Sequence, residues 1–132
     1  MYINDTKGSV QVDPFDRLPI SKKLAAELRS DHAGEEGAVQ IYRGILAVSR
    51  STAVRHFARH HVEAEQAHLG FFEAWLPAKQ KSKLLPLWRL SGWLLGATAA
   101  LMGPRMVYQT VAAVETFVEQ HYHAQIEYMA SN

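Results

Sequence analysis

The chain of 132 residues contains no cysteine. That excludes disulfides, thiolate zinc fingers and thiol catalysis, and leaves any metal chemistry to histidine and carboxylate. An excess of charge of one sign is also missing: 14 Lys and Arg stand against 13 Asp and Glu. A chain so balanced carries no basic field for a phosphate backbone, so nucleic acid is not an expected partner. Proline is sparse, and residues 20–76 and 105–132 have none. Residues 1–5 lack a basic n-region and an apolar h-region, so no secretory signal is expected. Asp5, Asp13 and Asp16 argue against an uncleaved mitochondrial transit peptide. The apolar share, 48%, is ordinary for a globular chain, and the length fits one domain with a real core.

What is present is helical periodicity. Residues 1–17 are polar, with Gly8, Pro14 and several Asp, and read as a loose N-terminal arm ahead of one helical domain, 18–132. A first helix should begin near residues 18–21, capped by Asp16 or Ser21 with Pro19 in its first turn, and run to about Ser49. Its apolar stripe is Leu24, Leu28, Glu35, Val39, Tyr42 and Leu46. Gly34 and Gly37 flank Glu35, as where a backbone, a bulky side chain or a ligand comes close. Ser51 and Thr52 make a turn and N-cap, and a second helix should reach Leu76, where Pro77 stops it. So short a connection predicts antiparallel packing of these two helices.

Residues 79–83 are a basic, polar connector. Residues 84–103 follow as the most apolar stretch, but Pro86, Arg89 and two interior glycines count against a spanning helix. Two readings stand. One is a helix buried in the protein. The other is an interfacial helix with Trp88 and Trp93 at headgroup depth and Lys79, Lys81, Lys83 and Arg89 facing anionic lipid. After Gly103 and Pro104 a last helix, from about Arg105 to Ala130, carries the stripe Tyr108, Val111, Glu115, Val118, Tyr122, Gln125 and Met129.

Three carboxylates interrupt these stripes. On the second helix, Phe57, His61, Glu65, His68, Phe72 and Leu76 follow one face, so Glu65 and His68 occupy positions expected for Leu or Phe. A Glu and a His three residues apart lie side by side, a spacing that suits two ligands of one metal. Glu35 and Glu115 hold matching positions on the first and last helices, with Glu119, His121 and His123 nearby. Any one such Glu reads equally as an edge residue, Glu35 included. Three in one small helical domain point to a shared metal site, since a buried unpaired carboxylate costs several kcal/mol, roughly.

The run Asp31-His32-Ala33-Gly34-Glu35-Glu36-Gly37-Ala38, followed by Ile41-Tyr42, resembles the signature of the demethoxyubiquinone hydroxylase family, ferritin-like di-iron monooxygenases of ubiquinone biosynthesis. Glu65-Gln66-Ala67-His68-Leu69, the stretch from Leu85-Pro86-Leu87-Trp88 to Leu101-Met102-Gly103, and Val111–Glu115 with His121-Tyr122 extend the likeness over residues 24–127. The resemblance implies an all-α antiparallel bundle of three bundle helices plus an apolar membrane-associated helix bearing Trp88 and Trp93. It implies metal ligation by Glu35, Glu65, His68 and Glu115, with His32, His121 and Tyr122 beside the metals or facing substrate; for Tyr122 a plain core role is the alternative. Two iron ions, with manganese left open, would use dioxygen to hydroxylate a demethoxy-polyprenyl quinol. The setting would be the cytoplasmic face of a bacterial inner membrane, held peripherally. The family's second Glu-x-x-His helix has no counterpart before Asn132. The expectation is therefore a C-terminally incomplete bundle, either a piece of a longer protein or one completed by a second copy, and weak activity alone. The rivals are a non-hydroxylating ferritin-like metal-binding protein and an inactive fragment serving assembly or membrane binding.

Overall fold

The structure is a computed structural model that describes residues 22–75 and 81–131. The expected N-terminal arm, the start of the first helix, and Leu76 to Gln80 lie outside those residues. Four helices make up the described chain: α1 (Lys22–Val48), α2 (Thr52–Trp75), α3 (Leu85–Met102) and α4 (Pro104–Ser131). No described helix is long and apolar enough to cross a membrane.

The helix boundaries follow local chemistry. Ser51 caps α2 as expected, its Oγ accepting a 3.3 Å hydrogen bond from the Val54 amide. Arg55 donates back to the carbonyls of Leu46 and Ser49, fastening the turn to the end of α1. Between α3 and α4 the chain turns at Gly103, whose φ of +107° lies in the region that disfavours L side chains. Pro104 then opens α4 at a position where its missing N–H costs nothing.

Contacts give the topology. Residues 45, 42, 35 and 32 of α1 meet residues 54, 61, 65 and 73 of α2 in reverse order, so the two helices are antiparallel as the short connection predicts. Residues 37 and 41 of α1 meet residues 92 and 96 of α3 in the same order, so α3 runs parallel to α1. Tyr42 with Glu115, Glu35 with Tyr122 and Asp31 with Gln125 set α4 antiparallel to α1. The result is an up-down-up-down arrangement with α1 at its centre.

That central position revises the sequence reading. A single apolar stripe was expected on α1, yet burial from Asp31 to Ile45 is nearly continuous, because neighbours cover the helix on three sides. The apolar stretch, α3, is neither fully buried nor clear of the bundle. Its glycine face lies backbone against backbone on α1: a methyl added at Gly92 would meet the Gly37 carbonyl oxygen, and one at Gly96 the Ile41 carbonyl oxygen. Gly37 thus marks a close approach as anticipated, while a methyl added at Gly34 would meet nothing within 4 Å among the described residues. The opposite face of α3 leaves Leu87, Trp88, Leu90, Trp93, Leu94, Leu95 and Leu101 exposed.

The hydrophobic core gathers at one end, where all four helices contribute: Ile41, Tyr42 and Ile45, then Val54 and Ala58, then Ala99, then Val107 and Val111. Burying a residue of the size of Ile45, which is wholly inaccessible, stabilises by about 1.5–3 kcal/mol. Beyond this core the interior turns polar.

Candidate metal centre

A cavity of about 660 Å³ sits next to the core, lined by α1, α2, α4 and Trp88 of α3. Glu35, Glu65, His68 and Glu115 all line it, as do His121 and Tyr122. The sequence reading placed the four expected ligands on three separate stripes, and the bundle brings them together.

Each carboxylate is held differently. Glu35 is 5% exposed, so the reading of an edge residue does not hold. One of its oxygens accepts a 2.8 Å hydrogen bond from the Tyr122 hydroxyl, and the other has no hydrogen-bond partner among the described residues. Glu115, half-buried, accepts a 3.0 Å hydrogen bond from Tyr42, which is itself buried. Glu65 is 8% exposed and faces both other carboxylates. Burial, followed by the hydrogen bonds and negative charge of Glu35 and then Glu115, pushes its carboxyl up to about 9. Burial first, then the adjoining carboxylate, raises the hydroxyls of Tyr42 and Tyr122 as well, so both remain donors at any ordinary pH.

His68 departs from the expected buried position. Its side chain is 62% exposed, at the cavity mouth. Its Nδ1 nevertheless lies 3.6 Å from a Glu65 oxygen and 3.9 Å from a Glu35 oxygen. One donor atom from each of these three residues falls within 4.8 Å of the others. These separations are long for hydrogen bonds but close to those between ligands of one ion, since bonds of about 2.0–2.2 Å put neighbouring ligand atoms roughly 3.3–3.6 Å apart. A buried oxygen without a donor and a carboxyl that keeps its proton are what a carboxylate-rich site shows before a cation enters. The donor set, oxygen with one imidazole, suits a first-row divalent metal such as iron or manganese.

A supporting network surrounds the cavity. His121 Nε2 lies 3.1 Å from the Asp31 carboxylate, which also accepts a 2.8 Å hydrogen bond from the Gln125 amide. Burial raises the Asp31 carboxyl, against the lowering effect of Gln125 and His121. Asp31 was not singled out by spacing, although it heads the Asp-His-Ala-Gly-Glu run. His32 was expected beside the metals or substrate, but it is not among the cavity's lining residues. It lies with Glu36 and Glu73 instead, because one residue along a helix turns a side chain by about 100°.

The basic residues expected to face lipid are partly committed elsewhere. Arg89 donates two 3.1 Å hydrogen bonds to buried Glu36, and Lys81 Nζ is 3.8 Å from Glu73. Arg89 holds the Glu36 carboxyl below its usual range despite burial. Lys79 lies outside the described residues.

The family described as Ubiquinone biosynthesis protein COQ7 matches residues 22–132. The chain is 38% identical over 119 residues to a 3-demethoxyubiquinol 3-hydroxylase of Rhodospirillum rubrum, covering 85% of this chain and 56% of that protein. It is 37% identical over 101 residues to the human NADPH-dependent mitochondrial 3-demethoxyubiquinone 3-hydroxylase, 75% of this chain and 46% of the relative. With a yeast mitochondrial 5-demethoxyubiquinone hydroxylase it shares 32% over 109 residues, 79% and 46% of the two chains. The chain spans about half the length of the curated relatives it matches.

Proposed function

The chain belongs to the ubiquinone biosynthesis protein COQ7 family, and from that membership we propose that it carries the dimetal centre of an oxygen-dependent quinol hydroxylase. The observation that carries the reading is the convergence of Glu35, Glu65, His68 and Glu115 on one cavity, with an unpartnered buried oxygen and a raised carboxyl among them. These four would hold the metals, two iron ions with manganese as the alternative. When bound, the metals supply the capacity to bind and reduce dioxygen and so hydroxylate a ring.

The chain's own residues prepare the rest. Tyr122 and Tyr42 each donate to a ligand carboxylate, fixing its rotamer and leaving its other oxygen for the ion. Asp31, held in turn by the Gln125 amide, orients the His121 ring at the cavity wall, where His121 and Tyr122 can face a substrate. Val118, Phe117 and Ile126 make one side of the cavity apolar, which suits a quinol ring with a prenyl tail, the substrate class named for the relatives. The exposed Leu and Trp face of α3 supports attachment at a membrane surface, from which such a substrate would enter; the reading is peripheral, at the cytoplasmic face of a bacterial inner membrane.

A second reading has its own support. Among the described residues two carboxylates and a single histidine, Glu35, Glu65 and His68, lie at ligand spacing in the cavity with Glu115 beside Glu65, whereas a symmetric dimetal bundle uses four carboxylates and two histidines. Metal binding without turnover by this chain alone fits that count. So does a homo-oligomer in which a second copy covers exposed Phe117 and Ile126. The test is paired, with mass by sedimentation beside conversion of a demethoxy-quinol in vesicles by the iron-loaded chain. Slow formation of a product one oxygen heavier, lost in Glu35→Gln, supports hydroxylation. Tight iron binding without product supports the second reading, and absence of both refutes the two together.

A further inference from the structure

The corner between α1, the end of α2 and the start of α3 contains a second cluster that the hydroxylase reading does not use. His32 and Glu36 come from α1 and Glu73 from α2, and one donor atom of each falls within 4.8 Å of the others. None of the three lines the carboxylate cavity.

His32 is the informative member. It is 0% exposed, and among the described residues neither ring nitrogen has a hydrogen-bond partner. A buried imidazole without partners is costly, so its orientation calls for an explanation. Its Nε2 points at the two carboxylates, 3.6 Å from Glu73 Oε1 and 4.0 Å from Glu36 Oε1. These are nearly the separations found between His68 and its two carboxylates, 3.6 and 3.9 Å. An ion with bonds of about 2.0–2.2 Å to nitrogen and oxygen fits between donors roughly 3.3–3.6 Å apart after a small closure. Glu73, at 42% side-chain exposure, is free to make that closure from the solvent side.

We propose that His32, Glu36 and Glu73 form a second divalent-metal site, of the zinc class, that clamps α1 to the end of α2. The imidazole and two carboxylates make up three protein ligands, and solvent beside Glu73 completes a tetrahedral shell. Burial lowers the His32 pKa, keeping the ring neutral with a lone pair to offer. Arg89 holds Glu36 in place through one hydrogen bond to each oxygen, and each carboxylate oxygen retains a second lone pair. Lys81, 3.8 Å from Glu73, is the group the ion displaces.

Zinc alone is the probe, in equilibrium dialysis of the full chain at neutral pH. His68→Ala, at an exposed position, weakens the first cluster and leaves this one intact. The expected result is one zinc retained per His68→Ala chain, with affinity falling at least tenfold when Glu73→Gln is added. Glu73→Gln in the otherwise unchanged chain should bind one equivalent less than the parent. In the His68→Ala background, thermal unfolding followed by circular dichroism should show zinc raising the midpoint only where Glu73 is present. A His68→Ala chain that binds no zinc, or binding indifferent to Glu73→Gln, overturns the site.

Discussion

Raising the pH of the metal-free chain should destabilise it, and Glu65 is the reason. Its carboxyl titrates near 4.5 when unfolded and at about 9 in the folded cavity, so between those values the folded state binds the extra proton. The stabilisation linked to that proton is fully present below the unfolded value and disappears as pH rises through the folded one. At about 1.36 kcal/mol per pH unit, moving from pH 5.5 to 7.5 removes up to roughly 2–3 kcal/mol. For a chain of this size that corresponds to a midpoint lower by about 10 °C. Glu65→Gln keeps the shape and has nothing to titrate, so its profile should be flatter by that amount. The difference between the two profiles isolates Glu65 from Asp31, whose raised carboxyl acts in the same direction, and from His32, whose lowered pKa acts in the opposite one. Saturating ferrous or manganous ion should flatten the wild-type profile too, because a cation replaces the proton. The assay is thermal unfolding at several pH values with chelator and then with metal. Equal slopes for wild type and Glu65→Gln would refute the reasoning.

Other consequences are simpler to read. Gly96→Ala drives a methyl into the Ile41 carbonyl, and should cost about 1–3 kcal/mol or more in urea unfolding as α3 is pushed off α1. Tyr122→Phe leaves buried Glu35 without its donor; a loss of about 1–3 kcal/mol is expected in the metal-free chain, and a smaller loss once metal is added. Trp88→Ala with Trp93→Ala should weaken binding to vesicles, measured by co-sedimentation. Dependence on anionic lipid should be modest, because Arg89 and Lys81 are each paired with a carboxylate of the protein.

Much of the fold could be read along the chain because helix ends have local causes. Ser51, Pro104 and the period of the α4 stripe each act within a few residues of themselves. The convergence of Glu35, Glu65 and Glu115 was legible for a related reason, since a charge on an apolar stripe is visible without knowing what covers it. What escaped depends on neighbours. The reach of His68 out to the cavity mouth, the pairing of Glu36 with Arg89, and the placement of His32 with Glu73 rest on how three helices surround α1. A stripe at one period cannot show burial on three sides. Nor does composition reveal that Gly92 and Gly96 are the packing face of α3 and its leucines the open one.

The central claim, that the three glutamates and His68 bind metal, makes a demand on protons as well as on affinity. Ferrous ion added anaerobically at neutral pH must displace the proton that Glu65 retains. Calorimetric titration in two buffers of different ionisation enthalpy counts that release directly. The account predicts about one proton released for each chain loaded, with release abolished in Glu65→Gln and affinity sharply reduced in Glu35→Gln. Iron binding with no proton released, and with an affinity unchanged by either substitution, would contradict it.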